Sequence, residues 1–416
     1  MKIPHIVVVG GGFGGLAAAK SLAQTGQVKV TLIDKKNYHL FQPLLYQVAM
    51  AGLSPAEIAY PLRSLLSKYD SIEILLGEVI EINKSEKWIK TQTNKIDFDY
   101  LILACGSTYT YFNSPQWEPF APGLKTIAQA TEIRKRVFLA FEKAERATDI
   151  TEQNFYLTFL VVGGGPTGVE LAGTLGEITR FSLTKEFDHI QPEQAKIILI
   201  EAGPTILPSF TQKLREDAKK QLEELGVEIR VNCKVSEITD KGMLAGDSFI
   251  EASTILWAAG VAANPLNKTL STDLDRQGRV MVNRDLSLPG HPHIFVIGDQ
   301  AHYPWGAESK PLPGLAPVAM QQGRYVAKLI KHLSLNHRSP GAFKFVDKGQ
   351  MATIGRSRAV AMFKGLEITG FVAWIIWLVV HIYYLIGFKN RLFVLYQWAW
   401  TYLTFRRGAR LIVEDE

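Results

Sequence analysis

The sequence predicts an α/β protein with two parallel-sheet units of one design, the second inserted into the first, and a helical C-terminal segment. Three observations predict this class. A strand of branched apolar residues, a glycine-rich turn and a helix of small residues occupy 6–19, and the same order returns at 159–173. A third buried strand at 293–299 lies where the chain can return to the first unit.

The composition indicates a protein with a large core and room for two or three domains. The chain has 416 residues, 47% of them hydrophobic, and its formal net charge of +6 gives no reason to expect a nucleic acid partner. Its two cysteines, Cys105 and Cys233, are far apart in sequence. We therefore expect a reducing compartment and no dithiol, iron–sulfur or zinc framework. Because the first strand begins by His5, no cleavable leader is expected.

The first glycine turn has the spacing of a dinucleotide site. Gly10 permits a tight turn, Gly12 lets the backbone approach a pyrophosphate, and Gly15 lets the helix pack closely on the strand. Phe13 and Gly14 complete the turn, where the N–H groups of the helix face the anion. The simpler alternative is a strand-to-helix turn with no ligand.

The following strand supports the ligand-binding interpretation. Residues 28–33 form an apolar run that ends in Asp34, placed to bond a ribose hydroxyl, and Lys35 follows it. Val79 and Gly106 end two further strand-like runs, and we expect them in the same site. His39 lies in the next segment, 37–49, and we interpret it as a hydrogen-bonded residue rather than a base.

The motif at 159–173 predicts a second dinucleotide site. Gly163, Gly165 and Gly168 take the three glycine positions, with Pro166 and Thr167 between them. The spacing therefore predicts two bound dinucleotides.

The strand 196–200 ends at Glu201, a carboxylate that suits a free 2′-hydroxyl and repels a 2′-phosphate. This favours NADH over NADPH, although a polar insertion at 180–195 lengthens the usual spacing. Gly260, at the end of the next strand-like run, is expected at the same site.

The strand 293–297 is followed by Gly298 and Asp299. With two glycine motifs before it, this run resembles the flavoprotein fold shared with glutathione reductase. The resemblance implies FAD at the first motif, NAD(P)H at the inserted one, and Asp299 against the ribityl and phosphate region of the flavin. His291 and His293 lack further ligand partners in sequence, so we expect no metal there.

The electron acceptor distinguishes members of that superfamily. Disulfide reductases need a cysteine pair beside the flavin, and this chain has none. The segments 41–49, 169–173 and 316–323 resemble type II NADH:quinone oxidoreductases, and the similarity covers nearly the whole chain. The resemblance implies non-covalent FAD, NADH as co-substrate, a membrane quinone as acceptor and a homodimer. No proton-pumping machinery is expected.

The resemblance also implies the domain spans and the residues at the reaction site. It places FAD-binding residues at 1–125 and 286–345, an NADH-binding domain at 126–285 and a membrane-anchoring region at 346–416. In the family's Ala-Gln-x-Ala-x-Gln pattern, Pro317 stands at the first glutamine and Gln321 at the second, and Ala319 and Gln322 are its neighbouring quinone contacts. Glu170 matches a family glutamate near the nicotinamide; the alternative is an acid that only complements the helix dipole.

The C-terminal segment changes character. Residues 371–388 and 392–405 carry no formal charge, and a run of 18 residues reaches the lower limit for a membrane span. Basic residues between and after the runs oppose a two-span hairpin, so we expect a peripheral or monotopic hairpin on the cytoplasmic face. The alternative is a dimer interface or a buried core helix. The expected lipid contacts are Trp374, Trp377, Lys389, Arg391, Trp398, Trp400, Arg406, Arg407 and Arg410.

Two other functions stay open at this stage. A related flavoenzyme could reduce a specialised biosynthetic quinone or oxidise sulfide, and a flavin-binding regulatory protein could lack turnover. Sulfide oxidation needs cysteines near the flavin that Cys105 and Cys233 do not obviously supply. Two intact glycine motifs argue against a protein without turnover.

Overall fold

The computed structural model describes residues 3–24, 28–306, 309–335, 340–405 and 407–412. They form two compact units. Unit 1 comprises Met1–Leu40, Ala59–Thr108 and Val261–Asp347, and unit 2 comprises Phe41–Ile58, Tyr109–Gly260 and Lys348–Glu416. The family resemblance assigned residues 41–58 and 109–125 to the FAD-binding domain, but they pack with unit 2. It assigned residues 261–285 to the NADH-binding domain, but they pack with unit 1.

The α-helices are numbered here in chain order. They are α1 Phe13–Ala23, α2 Leu45–Ala49, α3 Pro55–Ile58, α4 Leu62–Leu66, α5 Ile127–Arg146, α6 Ile150–Tyr156, α7 Pro166–Glu177, α8 Gln212–Glu224, α9 Ala316–Ser334, α10 Gly370–Tyr384 and α11 Phe388–Thr404. Short 3-10 helices occupy Gln42–Leu44, Pro115–Trp117, Pro192–Gln194, Pro265–Leu270 and Gly298–Gln300. A five-residue π-helix at Ile178–Ser182 continues α7.

Unit 1 is built on a six-stranded sheet. Its order is Ser287–Leu288, His291–Val296, Tyr100–Leu103, His5–Val9, Lys29–Asp34, Ile72–Leu76. The last five are parallel, and the strand His291–Val296 lies beside Tyr100–Leu103 with Ile294 opposite Leu101. The expected return of the chain to the first sheet is therefore confirmed.

The remaining strands of unit 1 are short and mostly antiparallel. They are Tyr38–Leu40 with Ala59–Pro61, the three strands Val79–Asn83, Trp88–Thr91 and Lys95–Asp97, the parallel pair Val280–Met281 and Ala301–His302, and Pro304–Trp305 with Lys310–Pro311. Helices α1 and α9 pack closely, because a Cβ on Gly323 would overlap the carbonyl oxygen of Gly14. Strands Ser107–Tyr109 and Val261–Ala263 lie where the chain passes from one unit to the other.

Unit 2 repeats the parallel design with four strands. Their order is Val227–Arg230, Lys196–Ile200, Thr158–Val162, Thr254–Trp257. Two antiparallel three-stranded sheets accompany them, one formed by Val235–Thr239, Gly242–Ala245 and Ser248–Glu251, the other by Gln350–Gly355, Arg358–Phe363 and Leu366–Thr369. Helix α7 lies against Gln350–Gly355, where a Cβ on Gly173 would overlap the carbonyl oxygen of Ile354.

Two helix boundaries are set by local features. Helix α5 begins at Ile127, because Thr126 and Gln129 form a reciprocal capping box. In the tail, the uncharged run 371–388 is interrupted: α10 ends at Tyr384, and Gly387 takes φ +91° before α11 begins. Within the described residues, every helix is too short or too polar to cross a bilayer.

Candidate functional site

The first glycine turn has the shape that a dinucleotide requires. Gly10 takes φ +105°, and a Cβ on Gly15 would overlap the carbonyl oxygen of Gly10. A Cβ on Gly12 would meet nothing within 4 Å, so its backbone faces open space at the start of α1. This combination fits a pyrophosphate against Gly12 and the N-terminus of α1.

Asp34 ends its strand beside this turn. Its Oδ2 accepts a hydrogen bond from the N–H of Gly11 at 2.6 Å, and its Oδ1 accepts from the N–H of Lys36 at 2.8 Å. Gly10, Asp34, Lys35 and Val79 line one open cleft. The structure thus brings together four of the expected FAD-binding residues.

Cys105, which follows the parallel strand Tyr100–Leu103, lines the same cleft. Its Sγ lies 3.6 Å from the carbonyl oxygen of Val9, and burial raises the pKa of this thiol to about 12. At neutral pH it is therefore a protonated packing group rather than a nucleophile. Both Cys105 and Cys233 are free thiols.

Gly298 and Asp299 lie in the same unit. The Ser107 hydroxyl donates to Asp299 Oδ2 at 2.6 Å, which holds this carboxylate in place. Gly298 takes φ +69°, and its N–H donates to Gln322 Oε1 at 2.7 Å. Gly106 also has a positive φ, and its carbonyl oxygen accepts from the N–H of Asn264.

Three of the expected site residues, Phe13, Gly14 and Ala319, lie on α1 and α9. Phe13 contacts the His39 ring edge-on at 5.0 Å between ring centroids. A Cβ on Gly14 would lie 3.3 Å from the carbonyl oxygen of Ala319, and the side chain of Ala319 lies beside Gly298. Ala319 therefore packs against the glycine turn.

His39 is buried on its short strand. Its Nδ1 lies 2.9 Å from the carbonyl oxygen of Gly11, and burial lowers the pKa of the imidazole to about 4. The ring is neutral at physiological pH, so Nδ1–H donates to Gly11, in agreement with the hydrogen-bonded interpretation.

The second glycine turn has the same backbone geometry and the same close contacts as the first. Gly163 takes φ +109°, a Cβ on Gly168 would overlap the carbonyl oxygen of Gly163, and a Cβ on Gly165 would meet nothing within 4 Å. Pro166 is the first residue of α7, followed by Thr167. This turn fits a second pyrophosphate.

Like Asp34, Glu201 accepts hydrogen bonds from two main-chain N–H groups. Its Oε2 accepts from the N–H of Gly164 at 2.6 Å and its Oε1 accepts from the N–H of Gly203 at 2.6 Å. The insertion at 180–195 therefore does not displace this acid from the turn. Gly260, at φ +68°, lies close to Phe112, because a Cβ there would be 2.6 Å from the Phe112 ring.

Glu170 lies in the second turn of α7. Burial raises the pKa of its carboxyl group to about 8, and a main-chain hydrogen bond from Thr353 acts in the opposite direction. Most molecules therefore carry a protonated Glu170 at pH 7, which the helix-dipole alternative does not predict.

An aromatic cleft lies in unit 2 among α7, the segment 41–58 and the C-terminal helices. Thr174 and Glu177 of α7 line it. Glu170 lies on the same face of α7, because it is four residues before Thr174, which is three residues before Glu177. Its other lining residues include Tyr46, Gln47, Arg356, Trp374, Trp377, Trp398, Tyr402 and Arg407. Sequence reasoning missed this cleft, because its residues are dispersed along the chain.

A buried ion pair closes one side of the cleft. Arg407 Nη2 lies 3.3 Å from Glu177 Oε1, with only 6% and 8% of the two side chains exposed. Arg407 Nη1 also donates to the carbonyl oxygen of Met50 at 3.1 Å. The expectation that Arg407 contacts lipid is therefore wrong.

The same correction applies to Trp377, which is 1% exposed. Trp398 is partly exposed and donates its indole N–H to Gln47. Arg410 pairs with Glu186, and Arg391 donates to the carbonyl oxygens of Leu385 and Tyr383. Trp400 is 46% exposed, as expected for an outward residue, and Arg406 lies outside the described residues.

The expected quinone contacts on α9 lie in unit 1. The Gln321 amide bonds the main chain of Val346 in both directions, each at 3.0 Å. Gln322 is 1% exposed and accepts from Gly298. The Gln321 amide would have to leave Val346 to bind another molecule.

In the part of the chain that the structure describes, no group of three or more histidine, cysteine, aspartate or glutamate side chains is arranged to hold a metal ion. His293 Nε2 lies 3.2 Å from the carbonyl oxygen of Lys84, and its ring contacts His291. Both histidines lie within the strand His291–Val296 rather than in a loop before it.

Comparison with known proteins decides the family. The model for pyridine nucleotide-disulphide oxidoreductases matches residues 4–323, and the model for the NDH2 C-terminal domain matches 348–407. A type II NADH:quinone oxidoreductase of Mycobacterium tuberculosis is 41% identical over 99% of this chain and 91% of its own length. This chain belongs to the type II NADH:quinone oxidoreductase family.

More distant relatives agree with this assignment. A type II NADH:quinone oxidoreductase of Staphylococcus haemolyticus is 30% identical over 88% of this chain and 91% of its own length. The structure of NDH2 from Plasmodium falciparum in complex with NADH has a TM-score of 0.89 at 22% identity, covering 99% of this chain and all of that one. The sulfide:quinone oxidoreductase of Aquifex aeolicus has a TM-score of 0.76 at 20% identity, over 93% and 91% of the two chains. The two structural similarities support the fold.

Proposed function

We propose that the chain is a membrane-associated, respiratory NADH:quinone oxidoreductase that pumps no protons. NADH is the electron donor, FAD is the non-covalent cofactor, and a membrane quinone is the acceptor. The observation that carries the proposal is the pair of nucleotide turns with matching geometry in a chain of this family.

FAD fits the unit 1 cleft. Gly12 leaves its pyrophosphate room at the N-terminus of α1, Asp34 accepts a ribose hydroxyl, and Asp299 lies ready for the ribityl end. When bound, FAD takes a hydride from NADH and passes two electrons to the acceptor. The cleft residues bind and orient the cofactor, and the protonated Cys105 takes no part in the chemistry.

NADH fits the turn of unit 2. Gly165 leaves room for its pyrophosphate, and Glu201 is placed to accept its ribose hydroxyls. Because the Glu201 carboxylate would repel a 2′-phosphate, we propose that the enzyme prefers NADH to NADPH.

We place the quinone in the aromatic cleft of unit 2. Rings from Trp374, Trp377 and Trp398 suit a flat quinoid ring and its apolar tail. Helices α10 and α11 bring the cleft beside an exposed apolar surface that suits a lipid bilayer. Gln321 remains a second candidate contact, which requires its amide to leave Val346.

Glu170 is the candidate proton source. Quinone reduction consumes two protons with two electrons, and a carboxyl group whose pKa is about 8 can donate one at neutral pH. Solvent supplies the second proton and returns the first to Glu170.

Further features of the proposal come from the family resemblance. They are attachment to the cytoplasmic face of the cell membrane and a homodimeric state. Size-exclusion chromatography with light scattering measures the state in detergent: a mass of twice 46.4 kDa supports the dimer, and a single-chain mass contradicts it.

Sulfide oxidation is a second candidate, because this chain shares its fold with the sulfide:quinone oxidoreductase of Aquifex aeolicus. The state of Cys105 disfavours it. Reduction of a specialised biosynthetic quinone uses the same geometry, so only the range of acceptors distinguishes it.

Rapid-mixing spectroscopy tests these functions. Purified protein should be yellow and release one FAD per chain on denaturation, and NADH should bleach the flavin absorbance while sulfide should not. Steady-state assays should then show NADH oxidation with short-chain ubiquinone, menaquinone or plastoquinone. Bleaching by sulfide alone would establish the second candidate, and no bleaching by either would contradict both.

A further inference from the structure

A chain of hydrogen bonds links the C-terminal helix α11 to the wall of the aromatic cleft. Trp398 Nε1–H donates to Gln47 Oε1 at 2.7 Å, and Gln47 Nε2–H donates to the Tyr46 hydroxyl oxygen at 2.9 Å. One amide thus joins two aromatic side chains that lie 352 positions apart in sequence, within a cleft that all three residues line.

Tyr46 is the inner end of this chain. It is 4% exposed, and its ring packs edge-on against Trp377 at 6.5 Å. Because the hydroxyl oxygen accepts from Gln47, its own hydrogen must point in another direction. Tyr46 therefore presents a fixed hydroxyl donor in a buried setting.

The charged groups that act on the Tyr46 hydroxyl come from two elements. Glu170 and Glu177 lie on α7, and Arg407 follows α11. Burial raises the pKa of Tyr46 well above 10, with a further increase from Glu170, whereas Gln47 and Arg407 act in the opposite direction. The phenol is protonated throughout the physiological range.

Trp398 is the outer end of the chain and depends on the position of α11. Its ring packs on Trp377 at 5.4 Å between centroids. If α11 moved away, Gln47 would lose the donor that orients its amide, and the amide could rotate. An amide among aromatic rings is costly to bury without partners, so its orientation is set by the two bonds that it makes.

We infer that Gln47 is a positioning residue for quinone reduction: it holds the Tyr46 hydroxyl in its working orientation only while Trp398 of α11 is seated against it. The inference rests on the proposed function, because the cleft must receive the quinone. It makes the seating of the membrane-facing helix a condition for full proton delivery.

Tyr46 is the direct proton donor to the quinone in this arrangement. The Tyr46 hydroxyl gives its proton to a quinone oxygen, and the Glu170 carboxyl group gives its proton to the tyrosine oxygen, so that the phenol is restored. Glu170 is then reprotonated from solvent. The second proton also comes from solvent, and both electrons come from NADH, so that quinone becomes hydroquinone.

Two single variants and their double variant test the inference in the full-length holoenzyme in lipid vesicles. Trp398→Phe keeps an aromatic ring, of smaller size, but removes the indole N–H, and Gln47→Leu removes the amide. Each should lower kcat with a short-chain ubiquinone about fivefold to tenfold, the rate equivalent of one lost hydrogen bond. The double variant should be no slower than the slower single variant, since both changes break one chain.

The pH profile distinguishes positioning from packing. In the wild type, quinone turnover should fall as pH rises through the pKa of Glu170, about 8. In both variants this alkaline decline should flatten, because Glu170 no longer supplies the proton. NADH oxidation by ferricyanide, which needs no proton delivery, should keep its rate, and the FAD content should stay at the wild-type value.

Trp88→Phe is the matched control. Trp88 Nε1–H donates to Glu86 at 2.7 Å, a bond of the same kind and length on the exterior of unit 1. This control should keep both the rate and the pH profile. A wild-type profile for Trp398→Phe, additive losses in the double variant or an equal loss with ferricyanide would each overturn the inference. Failure of the wild type to reduce quinone would instead contradict the proposed function.

Discussion

Glu201 determines the charge that faces the ribose of the second nucleotide. Glu201→Gln keeps an acceptor for one of the two glycine N–H groups that the carboxylate holds, but removes the negative charge. We expect the ratio of kcat/KM for NADH over NADPH to fall, because a 2′-phosphate is no longer repelled. Glu201→Ala should also weaken NADH binding, since it leaves the partly buried N–H groups of Gly164 and Gly203 without their acceptor.

The control for this comparison is Glu193→Gln, an acid in the insertion before the strand. Its cofactor ratio should equal that of the wild type. If Glu201→Gln leaves the ratio unchanged and Glu193→Gln changes it, the insertion carries the selectivity.

Glu170 offers a pH-dependent test. Its pKa is raised by burial, so the folded state binds a proton more tightly than the unfolded state. The contribution of this group to stability is present below the unfolded pKa of 4.5 and is lost as pH rises through about 8. A glutamine at this position does not ionise, so the Glu170→Gln variant does not lose this contribution. The melting temperature of the variant minus that of the wild type should therefore increase as the pH is raised from 6 to 9.

The same variant should slow quinone turnover, because a glutamine cannot donate the proton. The FAD content and the ferricyanide rate should not change. An unaltered quinone rate would leave Glu170 as only an acid near a helix N-terminus, and an unaltered difference in melting temperature would show that its pKa is ordinary.

At the scale of elements, the glycine turns were predictable and the tail was not. Gly10, Gly15, Asp34 and their counterparts act within one strand–turn–helix unit, so local spacing suffices to identify them. Arg407 was expected at the lipid surface, and the bond from Trp398 to Gln47 was not foreseen, because hydropathy does not show which side chains contact the rest of the chain. Their partners, Glu177 and Gln47, are hundreds of residues earlier, where no periodic pattern connects them.

The ion pair between Arg407 and Glu177 attaches the end of the tail to α7. We expect Arg407→Met to lower the free energy of unfolding by about 3 to 5 kcal/mol, because it leaves Glu177 buried without its cation. Chemical denaturation at pH 7 measures this loss. The double variant Arg407→Met with Glu177→Met should recover most of it, since two apolar side chains replace the pair.

Arg358→Met is the control for that measurement, because its pair with Glu224 is partly exposed. Its effect should stay within about 1 kcal/mol. Equal losses for the two arginine variants would show that the burial of the Arg407 pair is unimportant.

For the whole molecule, the C-terminal helices combine an inner and an outer role. Removal of the chain from Leu366 onward would take away a strand that pairs with Arg358–Phe363, as well as the buried Trp377. Such a truncation should unfold part of unit 2, and it cannot test membrane binding alone. Substitution on the exposed face of the helices avoids that damage.

The exposed face carries large apolar side chains in a helical hairpin. Among them, Val379, Leu392, Leu395 and Leu403 are 64%, 51%, 46% and 76% exposed. An apolar surface of this kind suits the interfacial region of a bilayer, and its substitution leaves the inner contacts of α10 and α11 in place. We therefore expect the fourfold change of these residues to glutamine to release the protein from membranes in a flotation assay.

The released protein should keep its FAD and its ferricyanide rate, and it should still reduce a water-soluble short-chain quinone. Turnover with a long-chain quinone in the bilayer should be lost, because that acceptor does not leave the lipid. The double change Ile150→Gln with Phe249→Gln, at exposed apolar residues outside the tail, should float with vesicles like the wild type. If the fourfold variant still binds vesicles but its mass in detergent falls from two chains to one, the face is a dimer interface, and another surface must bind the membrane.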